Sequence, residues 1–186
     1  MLKLIMTAVA SLCAVCAGLQ QVTAQGLEPA LQARLDAKLK LVQTWAADGA
    51  IVSAVKAHNA VPSAEAAAMT QEQWKTLSVL DPFVRSFTKN PTAIFLKSKT
   101  TEALSEAFLS GAHGLKIAFL AKTSNWSHKG KPKHDVPMSG KTWQGEIEVD
   151  ESTGQRQVQI AVPVLDGDKP IGSLVVGFSV SKLTSE

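Results

Sequence analysis

The hydrophobic period of this chain changes near Gly114, and that change limits the folds open to it. Upstream, Leu31, Leu35, Leu39, Val42, Ala46, Gly49 and Val52 recur every three or four residues, the spacing that lines one face of an α-helix. It predicts one long helix over 27–59. Downstream the spacing is two. Leu115, Ile117 and Phe119 alternate with Lys116, Ala118 and Leu120, and Val158, Ile160, Val162 and Val164 share one face of a later run. In the last run Leu174, Val176, Phe178 and Val180 lie opposite Ser173, Val175, Gly177 and Ser179. Such alternation marks β-strands. Asp166-Gly167 supplies hairpin chemistry between the last two runs, and 150–155 is rich in turn residues. Helices first and strands last predict an α+β domain, its antiparallel sheet of about five strands lying within 115–181.

Between these halves, 70–109 reads as a series of short helices. Thr70-x-x-Gln73 is a capping-box pattern. Asp81-Pro82 and Asn90-Pro91 each place an N-cap residue before a proline suited to the first helical turn. A further helix is predicted from Thr100 or Thr101, with Leu104 and Phe108 on one side, ending at 110–114. The long helix over 27–59 packs on its own domain or forms a coiled coil. Its Ala and Gly positions, where a coiled coil prefers Leu or Ile, favour packing within the domain.

The first 24 residues carry one cation, Lys3, an apolar run from Leu4 to Leu19, and the small-residue pattern Val22-Thr23-Ala24. These are the zones of a removable secretory leader, and the apolar run is short for a membrane span. Residues 25–186 are then expected as a single periplasmic or secreted domain, with a retained anchor as the alternative. Both cysteines, Cys13 and Cys16, fall inside the leader, so the domain is expected to have no disulfide, thiolate metal site or haem attachment. A net charge of +3 lacks the dense basic face of a nucleic-acid binder. No later segment is apolar enough to span a membrane.

The order of parts resembles the extracytoplasmic PAS-like sensor domains called Cache domains. The terminal hairpin, "DESTGQRQVQIAVPVLDGDKPIGSLVVGFSVSKL", is similar to the last two strands of that family, through Val162-Pro163-Val164 and Ile171-Gly172. "LKIAFLAKTSNW" is similar to the family's first strand and following turn, and "TKNPTAIFL" to the helix before it. The resemblance implies a stand-alone sensor that binds a small molecule and reports through a separate partner. A homodimer or membrane receptor would use the helix over 27–59. The turn at 110–114 lacks the acid often found there in the family. The chain has no tyrosine, so the tyrosine-containing amino-acid motif of one version of the family cannot be intact.

The segment between the first two predicted strands is the candidate site. From Lys122 to Lys141 there are five lysines and one acid, Asp135. Trp126 and Trp143 bracket much of it, supplying aromatic walls of the kind small-molecule pockets use. Lys122, Ser124, Asn125 and His134 offer donors for a carboxylate or other small anion, and Arg85 could clamp the same group with its planar fork. The ligand set is therefore Arg85, Lys122, Ser124, Asn125, Trp126, His134, Asp135 and Trp143, for an anionic or zwitterionic ligand. Lys129, Lys131 and Lys133 are read as solvated. The alternative for this segment is a lysine-rich surface loop with both tryptophans in the local core. No cofactor or metal is expected, because the lysines between His128 and His134 would repel a cation. No nucleophile elbow, phosphate loop or H-E-x-x-H pattern marks an enzyme. The competing functions are an interaction protein that uses the fold without a ligand and, further off, a small hydrolase.

Overall fold

A computed structural model describes residues 27–61, 63–150 and 154–185. The leader expected over 1–24, with both cysteines, lies outside the described residues. The elements run α1 (Pro29–Ala46), α2 (Gly49–Ala60), α3 (Ala64–Ala68), α4 (Gln71–Thr76), α5 (Pro82–Lys89), α6 (Pro91–Ser98), β1 (Leu104–Gly111), β2 (Lys116–Phe119), α7 (Pro132–Met138), β3 (Trp143–Val149), β4 (Arg156–Asp166), β5 (Lys169–Ser179) and α8 (Val180–Ser185). Every paired strand is antiparallel, in the order β2-β1-β5-β4-β3. The expected α+β class with a five-stranded sheet is what forms.

Two expectations change. The helix over 27–59 is interrupted at Ala47-Asp48. Asp48 leaves the helical conformation and its Oδ1 accepts the Ala50 N–H at 2.9 Å, capping a new helix. Past that break the buried stripe is Ile51 and Val55, not Gly49 and Val52. The helix predicted to follow Thr101 is strand β1, so the helical region ends at Ser98, not near 109. Leu104 and Phe108 are spaced for a helix, but the segment is held open by pairing along β5 on one side and β2 on the other.

The caps behave as the sequence predicts. Thr70 and Gln73 form a reciprocal capping box. Asp81 and Asn90 cap α5 and α6 ahead of their prolines.

Each face of the sheet has its own core. On one, α1 and α2 cover Leu109, Ile160, Val162, Leu174, Val176 and Phe178. The other carries Phe108, Phe119, Ala161 and Val175, packed with Trp74, Val84, Phe87 and Trp126. That second face also carries the buried polar side chains of Ser110, Lys116, Gln157, Gln159 and Ser173. The helix-covered face is an ordinary apolar core. The polar one is where a site can form.

A bulge fixes which residue of β2 reaches that polar face. Leu109 pairs with Ala118, but Ser110 pairs with Lys116, skipping Ile117. The extra residue lets Lys116 share a face with Phe119 while Ile117 stays in the helix-covered core. Re-aiming a side chain is a common consequence of a bulge. Asn90 secures it: its Oδ1 caps Ala93 N–H at 2.8 Å, and its Nδ2 donates to the carbonyl of Ile117 at 2.8 Å. Replacing Asn90 by Ala removes both bonds and should cost about 1–3 kcal/mol. Asn90→Asp keeps the cap but sets a carboxylate against a carbonyl, and should also destabilise. Urea unfolding of the two variants measures this; wild-type stability in both would show that Asn90 does not hold the bulge.

Candidate functional site

The polar face of the sheet borders a cavity of about 290 Å³. The sheet supplies Glu106 and Phe108 from β1, Glu148 from β3, and Gln157 and Gln159 from β4. The segment between β2 and α7 supplies Lys122, Thr123, Ser124, Asn125 and His128, and α7 supplies Lys133. Val149 and Asp150 complete the lining.

Helix α4 shapes the loop wall. The Gln71 side chain donates to Ser124 O at 2.9 Å and accepts from Trp126 N–H at 2.8 Å. The Trp74 indole donates to Thr123 O at 2.7 Å. Three hydrogen bonds from one short helix thus fix the backbone around Ser124. The base of the loop is pinned at Gly114, whose φ is +76°. Its carbonyl accepts the His128 N–H at 3.0 Å. A Cβ there would lie 2.4 Å from the Lys129 nitrogen, so glycine is required both for conformation and for space.

The sheet wall is tied by amide side chains. Lys133 Nζ donates to Gln159 Oε1, and Gln159 Nε2 donates to Glu106 Oε1. Ser105 donates to Gln157 Oε1 at 2.6 Å, and Gln157 Nε2 donates to Glu148 at 3.2 Å. Gly177 makes room for this network, since a Cβ would sit 2.8 Å from both Gln157 Oε1 and Ser105 Oγ. Glu106 has its pKa raised, chiefly by burial, with Lys133 pulling the other way.

Behind the cavity lies a second polar group. Lys116 is fully buried, its Nζ against His128 Nδ1, 3.5 Å from Ser110 Oγ and 4.3 Å from the Phe108 ring centre. His128 stacks on Phe108 with ring centres 4.6 Å apart. His134, under α7, bonds Ser173 Oγ at 2.7 Å. Burial lowers the pKa of Lys116 well below the ordinary lysine value and that of His128 to about 2.

Of the eight residues read from the sequence, the structure brings Lys122, Ser124 and Asn125 to the cavity. Trp126 does not wall it. This ring is buried among Trp74, Phe83 and Phe87, with Nε1 lacking a partner among the described residues. Trp143 folds back over Gly145 and packs against the same core. Arg85 points outward from α5 and is exposed. His134 is held beneath α7, and exposed Asp135 accepts the Gly130 N–H at 3.1 Å, bracing the turn into that helix. Lys133, read as solvated, lines the cavity, whereas Lys129, Lys131 and Lys141 are exposed. Sequence reasoning missed Glu106 and Phe108 because their strand read as a helix. Gln157 and Gln159 were visible as the polar alternation of β4. Among the described residues no group of His, Cys, Asp or Glu side chains is arranged to hold a metal ion, and no helix is long and apolar enough to cross a membrane.

Three histidines, His128 and His134 buried and His58 half-buried, set the pH response. His58, His128 and His134 all have pKa values lowered first by burial. The unfolded chain therefore binds more protons than the folded one below about pH 6.5, and stability falls as pH drops through that region. Lys116 has the same sign at higher pH, while Glu106 opposes it near the carboxylate range. The urea midpoint should fall between about pH 7.5 and 5.5, and His134→Gln should flatten the slope. An unchanged midpoint would show that these imidazoles are not held neutral.

No protein-family model and no curated protein matches the chain. Solved structures do. The ligand-binding domain of the Pseudomonas aeruginosa PAO1 amino acid chemoreceptor PctC, in complex with GABA, is similar over 83% of this chain and 57% of that one, at 15% identity and TM-score 0.45. The V. cholerae histidine kinase DctB sensor domain is similar over 83% and 56%, at 17% identity and TM-score 0.39. The ligand-binding domain of Pseudomonas fluorescens chemoreceptor CtaA, in complex with L-serine, is similar over 83% and 55%, at 18% identity and TM-score 0.45. The chain spans little more than half the length of these three domains. These neighbours are ligand-binding or sensor domains of chemoreceptors and of a histidine kinase.

Proposed function

We propose that this protein is an exported sensor domain whose cavity takes a small zwitterionic ligand. The observation that carries the reading is the division of charge across one cavity. Glu106 and Glu148 come from the sheet and Asp150 from the residue after β3, whereas Lys122 and Lys133 come from the loop and α7, with Ser124 and Asn125 as further polar groups. A ligand with an ammonium at one end and a carboxylate at the other satisfies both sets at once. The lysine-rich segment alone pointed equally to an anion; the three acids move the balance to a zwitterion. The volume, about 290 Å³, lies at the small end for ligand pockets, which suits a small molecule.

PctC and CtaA were solved with GABA and L-serine, ligands of this size and charge. Export follows from the leader expected at 1–24. Output passes to a separate partner, such as a second copy or a membrane receptor, over the outward side of α1 and α2. Leu41, 43% exposed on α1, supports an apolar contact there.

A thermal-shift screen of small zwitterions, dicarboxylates, cations and neutral compounds tests the function. A zwitterion should raise the melting temperature, by the equivalent of about 2.7 kcal/mol at a hundred times its Kd. Lys122→Met and Glu148→Gln should each weaken it about tenfold or more. If titration calorimetry found only neutral or cationic binders, the charge assignment would be wrong. A screen with no hit, alongside a stable complex captured on α1 and α2, would favour an interaction protein.

A further inference from the structure

The fully buried Lys116 has no carboxylate in ion-pair contact among the described residues. Its polar neighbours are His128 Nδ1 and Ser110 Oγ. A buried ammonium without a counter-charge is strongly disfavoured. The sheet nevertheless carries a bulge that places this lysine, not Ile117, on the site face.

His128 stands between Lys116 and the cavity. It is 3% exposed, lines the cavity, and stacks on Phe108, which lines it too. Its Nδ1 is engaged by Lys116, and its Nε2 meets no hydrogen-bond partner among the described residues. A lysine can present N–H to Nδ1 whether charged or neutral, which leaves the imidazole proton on Nε2 as a free donor.

We propose that His128, backed by Lys116, is the acceptor-recognising element of the cavity: Nε2–H donates to an anionic ligand group, and the Lys116–His128 pair takes up one proton as that group arrives. This rests on the sensor reading above. Before the ligand arrives, full burial with no carboxylate in contact favours the pair without its extra proton. The ligand's negative charge supplies the missing counter-ion, and a solvent proton then lands on the pair, shared between Nζ and Nδ1. Lys116 is a positioning residue acting through His128; it does not touch the ligand.

The groups facing the pair are known from each packed element. Glu106 comes from β1, Lys133 and His134 from α7, and Lys131 from the residue before it. On the other side, His58 of α2 and Glu65 of α3 border the groove that reaches Lys116. Glu106 favours the charged pair, while Lys133 and Lys131 oppose it. No bound cation or second carboxylate has to be assumed.

The test is calorimetry on the full chain with acetate, succinate and 4-aminobutyrate as probes, at about pH 8 where the probes' carboxylates stay ionised. Each is titrated in buffers of differing ionisation enthalpy. For a probe that binds, the apparent enthalpy should change with the buffer as expected for about one proton taken up, and affinity should fall about tenfold per pH unit on raising pH. Lys116→Met should keep the melting temperature within a few degrees, lose the buffer dependence and bind at least about tenfold more weakly. If that variant does not fold, His128→Gln and the wild-type buffer series decide. A probe that binds with no buffer dependence, and equally well to Lys116→Met, overturns the inference and leaves the sensor reading standing. If no carboxylate binds while neutral or cationic compounds do, both fall.

Discussion

A lysine side chain removed from water without a carboxylate against it is the constraint around which the site face is arranged. Lys116 can be buried there because Phe108 and His128 cover it, Ser110 lies beside it, and a bulge held by Asn90 turns it inward. The neighbouring pieces follow. Gly114 lets the His128 backbone approach the strand. Gln71 and Trp74 hold the loop that continues around the cavity. Under α7, His134 meets Ser173 of β5.

The two sheet faces divide stability from function. The face under α1 and α2 is filled with Leu, Ile and Val and gives the fold its main core. The other face holds an aromatic cluster at one end and a polar network at the other. Amide side chains suit that network, because Gln157 and Gln159 both donate and accept and so link a lysine and a hydroxyl to two carboxylates. Such a wall can exchange an internal bond for a ligand bond with little unpaired polarity left behind. The cavity is therefore polar but not empty of order.

How far the sequence reveals this depends on the range of the interaction concerned. The caps at Thr70, Asp81 and Asn90 are local, and they form as read. The alternation of β4 and β5 is local too, and both strands are where the pattern puts them. Strand β1 was hidden because its helix-like spacing is overruled by two neighbouring strands distant in sequence. With it were hidden Glu106 and Phe108. The two tryptophans looked like pocket walls because aromatic spacing does not distinguish a pocket from a core. Trp126 satisfies the core reading through its contacts with Trp74, Phe83 and Phe87. Lys116 lay in plain view inside an apolar run, but the bulge that buries it is a property of two strands together.

The central claim is that the space between the sheet and the Lys122–Lys133 segment is occupied in use. A crystal structure of protein purified from its own source, with no ligand added, examines this most directly. The account predicts a small molecule in density between His128, Lys133 and Gln159, with charged groups toward both the lysine and the glutamate sides. A cavity closed by Lys133 and Glu106 folding across it, with the same shape after soaking in the screened compounds, would contradict it.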